Sequence, residues 1–305
     1  MLPLSVLDVA VATEHGRVYI ASNVASDGPS DLFPGRLDIY DLGSGMSIRT
    51  FKTRRISALS LSPDGKSLYL GQYDSAPVSR YETRRGWLAR LDTAASKIEQ
   101  NLEIPTQPED LVGTDRGQVL VSSRYGSGGR RPIALIDLES EALSWGPSIT
   151  TSSTSIALHP NQQTAYAGGG TGSPFVLNFD SEGAIELIGS SERILGRSSS
   201  RVWMHPSRDS LLTNSGVVFE TTFDDRTQLL PIRRILWGRY DLHGFDMAFD
   251  GDRGLWVVGA AGILQYRNLT SLESFQEIPF DGSVSFVGIA EESVFAVLKR
   301  RSPGR

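Results

Sequence analysis

The sequence predicts an all-β protein made of repeated units, and three observations support this fold class. One short phrase, consisting of an apolar strand, a polar turn and a second apolar strand, returns seven times along the 305 residues. Its copies lie about 40 to 50 residues apart, which is the period of β-propeller blades. Further strand-like segments follow each phrase. Together they predict a seven-bladed β-propeller of four-stranded antiparallel blades, forming a single domain over residues 1–305.

The first two strands of each unit are predicted from the phrase itself. Its clearest copy is ISALSLSPDGKSLYLG at residues 56–71, in which Pro63 and Gly65 favour a tight turn between two strands. The pairs His159-Pro160 and His205-Pro206 stand where Ser62-Pro63 stands in that copy, so both histidines are interpreted as turn residues. The remaining copies cover residues 7–22, 109–123, 155–169, 201–214, 245–259 and 286–298.

Within each unit, a third and a fourth strand follow the phrase, and the fourth strand is the more polar of the two. GWLARLD at residues 86–92 is a typical third strand that ends in Asp, and KIEQNLEI at residues 97–104 is a typical fourth strand. Strands near the axis are covered on both faces and read as continuous apolar runs, whereas outer strands alternate. The seventh unit has two inner strands followed by KRRSPGR, so an incomplete last blade is expected.

Composition excludes several classes of function. The chain has no cysteine, and its four histidines are scattered over separate units, so neither a metal site nor a cofactor is expected. A formal net charge of −5 does not favour nucleic acid as a partner. No apolar run approaches the roughly 20 residues of a membrane span, so membrane insertion is not expected.

The longer connections are predicted to share one side of the disc, which we call the long-loop face. Second-to-third connections, and those leading from a fourth strand to the next unit, emerge on that side, and recognition is normally placed on long loops of a rigid scaffold. These connections are residues 23–35, 72–85, 124–131, 168–173, 190–200 and 235–244. Their arginines and aromatic residues are the candidate ligand-binding set: Tyr73, Tyr81, Arg84, Arg85, Trp87, Tyr125, Arg130, Arg131, Trp237, Arg239 and Tyr240.

No complete catalytic motif occurs, so the expectation is a protein without catalytic residues. If the protein is an enzyme, His243 with Asp241 and Arg239 is the candidate set, because a histidine among acids and arginines at a channel mouth can act as general acid or base. The glycine run at residues 168–172 lacks the helix and lysine of a phosphate loop. DGDRG at residues 250–254 lacks the further acids of a calcium loop and is interpreted as a turn.

Three segments, GRVYIAS, SPDGKSLYLG and TAYAGG, resemble the YVTN-type repeats of bacterial seven-bladed propellers, including surface-layer-like proteins. The resemblance implies a non-enzymatic module of a secreted or cell-surface protein that binds a protein or glycan partner. We expect a monomeric domain, either alone or within a longer chain. A cytoplasmic location is the alternative. Lactonase-like propellers share the SPDGK-x-LY phrase, and this second resemblance implies the alternative function, a hydrolase or lyase acting at the mouth of the central channel.

Overall fold

The computed structural model describes most of the strand-forming parts of the chain. The described residues are 4–24, 34–74, 85–123, 133–147, 155–168, 174–180, 182–190, 201–205, 210–214, 216–221, 230–234, 246–250, 254–258, 263–268, 274–279, 283–290 and 293–299. They form 26 β-strands and one 3₁₀ turn at Thr13–His15. Among them, no helix has the length and apolar character needed to cross a membrane.

Six four-stranded antiparallel sheets, which we call blades 1 to 6, follow one another along the chain. In blades 1 to 3 the strands are β1 Leu4–Ala12, β2 Arg17–Val24, β3 Gly35–Asp41 and β4 Ser47–Thr53; β5 Arg55–Leu61, β6 Ser67–Tyr73, β7 Gly86–Asp92 and β8 Lys97–Ile104; β9 Pro108–Gly113, β10 Gln118–Ser123, β11 Ile133–Asp137 and β12 Leu143–Trp145.

The second half of the chain repeats this pattern and then adds one smaller sheet, β25–β26. In blades 4 to 6 the strands are β13 Ile156–Leu158, β14 Thr164–Ala167, β15 Phe175–Phe179 and β16 Ile185–Ser190; β17 Val202–Met204, β18 Ser210–Thr213, β19 Val217–Glu220 and β20 Leu230–Arg234; β21 Asp246–Asp250, β22 Gly254–Val258, β23 Ile263–Asn268 and β24 Ser274–Pro279. The smaller sheet consists of β25 Ser283–Ala290 and β26 Ser293–Lys299.

The predicted count of seven four-stranded blades is wrong, because the structure has six blades of that kind. The seventh copy of the repeated phrase forms the two-stranded sheet β25–β26. The physical reason is that the repeated phrase specifies only the first and second strands of a unit, and the described residues after β24 form only those two strands. The all-β class and the antiparallel four-stranded blade are confirmed.

In each of the seven hairpins formed by a first and a second strand, one pair of opposed residues near the turn serves as a reference for comparing the units. These reference pairs are Val11 with Val18, Leu61 with Leu68, Gly113 with Val119, Leu158 with Ala165, Met204 with Leu211, Phe249 with Leu255 and Ile289 with Val294. Residues at the same offset from a reference pair are therefore equivalent from one unit to the next.

The core lies between successive sheets, because every blade buries both of its faces. Tyr19 and Ile39 of blade 1 pack in one apolar cluster with Leu68 and Leu70 of blade 2, and five further clusters continue this packing as far as the sheet β25–β26. Strand β10 is buried at every residue, whereas β8 alternates between exposed and covered positions. The predicted gradient from continuous to alternating strands is thus confirmed.

The sheet β25–β26 closes the ring between the last and the first blade. Strand β25 contacts β21 of blade 6 on one side and β1 of blade 1 on the other. Because the first strands lie innermost, their side chains surround the axis of the ring.

Candidate functional site in the central cavity

A central cavity of about 570 Å³ is enclosed by the first strands of all six blades and by β25. Each unit contributes to the wall the residue that lies three positions before its first-strand reference residue, either within the first strand or, for Ser155 and Arg201, immediately before it. We call these the ring residues: Asp8, Ala58, Asp110, Ser155, Arg201, Asp246 and Phe286. The ring residues lie near the beginnings of the first strands. In an antiparallel hairpin the second strand ends beside the beginning of the first strand, and the long connection to the third strand starts there. The cavity therefore lies toward the predicted long-loop face.

Three of the ring residues are aspartates, and each accepts a hydrogen bond from the first strand of the next sheet. Asp8 Oδ2 accepts the backbone N–H of Leu59 at 2.6 Å. Asp110 Oδ2 accepts that of Ile156 at 2.8 Å. In the same way, the carboxylate of Asp246 accepts the N–H of Val287 at 3.0 Å.

In each case the donor is the backbone N–H of the residue that follows the ring residue of the next sheet, so the same geometry repeats around the axis. A fourth, longer contact of the same kind joins the backbone N–H of Val202 to the hydroxyl of Ser155 at 3.5 Å. Asp8 and Asp110 also accept the N–H of their own following residues, Val9 and Leu111, each at 2.9 Å. Ring side chains with an oxygen acceptor therefore connect successive blades across the inner edge of the sheets.

Burial beside the cavity raises the pKa of all three ring carboxyls. For Asp8 the loss of solvation is the main cause, with the negative charges of Asp110 and Asp246 adding to it, and the pKa rises to about 7. Burial likewise raises the pKa of Asp246 to about 6. Burial also raises the pKa of Asp110, although the hydrogen bonds from Ile156 and Leu111 oppose it.

Arg201 is the one basic side chain among the described residues that line the cavity. Its positive charge acts to lower the pKa of both Asp110 and Asp246. Since Glu109 also lines the cavity, the described wall carries four carboxyl groups against one guanidinium group. The described wall of the cavity is thus polar and acidic near the axis, and Arg201 provides its one positive charge.

Three of the predicted ligand-binding residues lie within the described part of the chain, where β6 ends and β7 begins, because Tyr73 pairs with Gly86, the residue between Arg85 and Trp87. Tyr73, the last residue of β6, lines the central cavity. Trp87 is buried, and the guanidinium carbon of Arg54 lies 3.7 Å from the centroid of its ring. Arg85 is exposed and forms an ion pair of 3.1 Å with Glu103.

The other members of the predicted set lie outside the described residues and stay predictions: Tyr81, Arg84, Tyr125, Arg130, Arg131, Trp237, Arg239 and Tyr240. The same holds for His243 and Asp241, the remaining members of the conditional catalytic set. In the described ranges, no cluster of three or more acidic or histidine side chains is arranged to hold a metal ion.

His159 and His205 lie between first and second strands, away from the cavity wall. Nδ1 of His159 accepts the backbone N–H of Asn161 at 3.1 Å within the β13–β14 turn. The ring of His205 is fully buried and packs edge-on against Phe249 of the next blade, with 4.7 Å between the centroids. Both side chains therefore contribute to turn geometry and to packing between blades.

Sequence reasoning missed the ring of oxygen acceptors, although a signal for it was present. An aspartate precedes the apolar first-strand residues in the segments LDVAV, EDLVG and FDMAF. Its recurrence at one place in the repeat indicates a common role. Arg54 was also missed, because nothing in its local sequence predicts that it covers Trp87.

The closed ring of six four-stranded sheets and one two-stranded sheet, all antiparallel, defines this protein as a β-propeller. No known protein-family model matches the sequence. No curated protein matches it either.

Solved structures share the fold along almost the whole chain. One is the β-propeller domain of Cps50 (Swd1) from Myceliophteria thermophila, with a TM-score of 0.73 at 14% identity, over 98% of this chain and 94% of that one. Another is U3-55K, with a TM-score of 0.68 at 10% identity, over 99% of this chain and 91% of that one. At this level of identity the similarity shows the β-propeller fold and carries no statement about the ligand.

Proposed function

We propose that the protein is a non-enzymatic recognition module that binds a protein or glycan partner through its long-loop face. The observation that carries the proposal is the central cavity of about 570 Å³, which lies toward that face and has Tyr73 on its wall. A cavity of this size falls within the range of roughly 300 to 1,000 Å³ found for ligand sites. The rim predicted around it is rich in arginine and aromatic residues, which are common in recognition surfaces.

The bonding of the ring carboxylates supports binding rather than turnover. Asp8, Asp110 and Asp246 each accept a backbone N–H from a neighbouring sheet, so their oxygens already have a structural partner. A general base needs a free acceptor within reach of the substrate proton. The proposal therefore gives these carboxylates the task of holding the scaffold rigid beneath the recognition loops.

The repeat resemblance supports a more specific version of the proposal. YVTN-type segments such as GRVYIAS and SPDGKSLYLG indicate a bacterial propeller that works outside the cytoplasm or at the cell surface. On this view the recognition module is displayed toward extracellular proteins or glycans.

The test is a panel of single substitutions on the predicted rim, with one control on the opposite face. Trp237→Ala, Tyr240→Ala, Arg84→Ala and Arg85→Ala are expected to reduce binding at least tenfold on a glycan array or to a protein partner identified by crosslinking. Lys66→Ala is the control, because this exposed side chain follows the first-to-second turn of blade 2 on the other face. Melting temperatures should stay within a few degrees, and unchanged binding in all four rim variants would place the site elsewhere.

A hydrolase or lyase acting at the channel mouth is the second candidate function. The observation that favours it is Asp8, whose pKa near 7 beside a cavity is typical of groups that exchange protons at neutral pH. In this alternative, His243 with Asp241 and Arg239 supplies the acid–base chemistry on a lactone or a uronic acid chain.

An activity assay, read together with partner binding, distinguishes the two proposed functions. If the protein is an enzyme, it should turn over members of a panel of lactones and uronic acid oligomers, and His243→Ala should abolish that activity. If the wild-type protein turns over none of the panel while it binds its partner through the rim, the enzymatic alternative fails for those substrates and the recognition module stands.

A further inference from the structure

Val294 in β26 is equivalent to six other residues in the ring, because it belongs to the seventh reference pair. Its counterparts are Val18, Leu68, Val119, Ala165, Leu211 and Leu255. All six are buried, with at most 8% of the residue exposed, whereas Val294 is 37% exposed. One position in the repeat is therefore covered in every four-stranded blade and open in the two-stranded sheet.

The third strand of each blade explains this difference. In every blade a third-strand residue lies opposite the counterpart of Val294: Tyr40, Leu91, Ile136, Leu177, Phe219 and Arg267. Five of these six are large and apolar or aromatic. Within the described residues, β26 has no strand on its outer side. Among the residues that the structure describes, Val294 therefore has no third-strand neighbour like those that cover its counterparts.

An open strand edge presents backbone N–H and C=O groups that can pair with another strand. The sheet β25–β26 lies between blade 6 and blade 1. Both of these blades extend farther from the axis than β26 does, by their third and fourth strands. At about 4.8 Å per strand, the edge of β26 is therefore recessed by roughly 10 Å between its neighbours. A recess of this depth admits an extended segment, whereas the equally recessed edge of a second copy would be kept out by the flanking blades.

We propose that the outer edge of β26 is a docking site for an extended strand of a partner polypeptide, which pairs antiparallel and places a large apolar side chain beside Val294. Backbone hydrogen bonds supply the affinity in this mode, and alternate side chains supply the specificity. The third strands β3 and β7, each of seven residues, indicate the length and the apolar character of the segment. This site is separate from the long-loop face, so it does not depend on the function proposed above.

Disulfide trapping tests the proposal, because the chain contains no cysteine of its own. The probe is a peptide with the sequence of β7, GWLARLD, carrying cysteine in place of the residue that corresponds to Leu91. Leu91 lies opposite Leu68, the counterpart of Val294. The protein variant is Val294→Cys, and the mixed disulfide with the peptide is measured at equilibrium in a glutathione buffer.

Two controls make the test specific for site and register. Ile48→Cys places a thiol at a similarly exposed apolar residue, 45% exposed, on the outer strand of blade 1. A second peptide carries the cysteine one residue earlier, at the position of Arg90, which turns it to the opposite face of the strand. Circular dichroism and melting temperature confirm that both variants keep the fold.

We expect the mixed disulfide of Val294→Cys with the in-register peptide to be at least tenfold more stable than either control combination. Equal stability in all combinations would overturn the proposal. If instead Val294→Cys forms disulfide-linked protein dimers in clear excess over Ile48→Cys, the edge belongs to a second copy and the assignment to a partner segment is wrong.

Discussion

The carboxylate of Asp8, in the first strand of blade 1, accepts the backbone N–H of Leu59 in the first strand of blade 2 at 2.6 Å. The same relationship joins Asp110 to Ile156 and Asp246 to Val287. At these three places an aspartate forms a hydrogen bond between neighbouring sheets at the inner edge of the ring. The apolar clusters between blades supply most of the burial, whereas these hydrogen bonds fix the height of one sheet relative to the next.

Removing the Asp8 acceptor should destabilise the protein. Asp8→Ala leaves the N–H of Leu59 without its partner at a covered position, and the expected loss is about 1–3 kcal/mol of unfolding free energy. Asp8→Asn keeps one oxygen acceptor and should cost about half as much or less. Urea denaturation at pH 7 measures both values. Glu186→Gln, an exposed residue of β16, is the control and should change the free energy by less than about 0.5 kcal/mol.

The raised pKa of Asp8 predicts that its contribution to stability decreases as the pH rises. In the folded protein the pKa is about 7 against an ordinary value of 3.8, so the folded state binds more protons between these values. The proton-linked part of this contribution, which is separate from the hydrogen bond to Leu59, is complete below about pH 4 and is lost as the pH rises through 7. After allowance for solvent screening, we expect this proton-linked contribution to the unfolding free energy to be roughly 1–3 kcal/mol. The difference in melting temperature between wild type and Asp8→Asn, measured from pH 5 to 8, isolates this effect, and a difference independent of pH would contradict it.

Gly113 marks a close approach between blades 2 and 3. A methyl group at this residue of β9 would collide with the buried ring of Tyr69 in β6. Gly113→Ala should therefore cost about 1–3 kcal/mol. Gly43→Ala is the matched control, since the nearest atom to its added methyl group would lie at an ordinary 3.6 Å. Equal melting temperatures for the two variants would show that the blades do not pack as described.

Arg54 covers the indole of Trp87 and pairs with Asp74 at 3.2 Å. Arg54→Ala should expose the ring, shift the tryptophan emission to longer wavelength and lower the unfolding free energy by about 1 kcal/mol. Arg54→Lys keeps the charge but not the planar group, so an intermediate result is expected. An unchanged emission maximum in Arg54→Ala would mean that Arg54 does not shield the indole.

The repeat phrase predicted much of the fold because two strong local signals agree in each copy. Alternation or runs of apolar residues mark the strands, and segments such as PDGK mark the turns, so β7 and β8 begin and end where the sequence places them. The number of complete blades was wrong because the phrase reports only the first two strands of a unit. Whether a third strand follows depends on separate sequence, which the phrase does not report.

The cavity wall was harder to predict because it is assembled from residues far apart in the chain. Asp8 and Leu59 are 51 positions apart, and no local pattern says which backbone N–H an aspartate will meet. Tyr73 ends a second strand, where a long connection begins, and it lines the cavity. Trp87 follows that connection in the sequence and its ring is buried under Arg54, because exposure depends on neighbours that local sequence does not specify.

The central claim is that ring carboxylates hold successive blades together, and amide hydrogen exchange at Leu59 tests it most directly. In Asp8→Ala the exchange rate of the Leu59 amide should rise at least tenfold over wild type. The amide of Ile156, held by Asp110, should change only as far as global stability changes. If the two amides respond equally, or if Leu59 exchanges as slowly as in the wild-type protein, the carboxylate does not hold that interface.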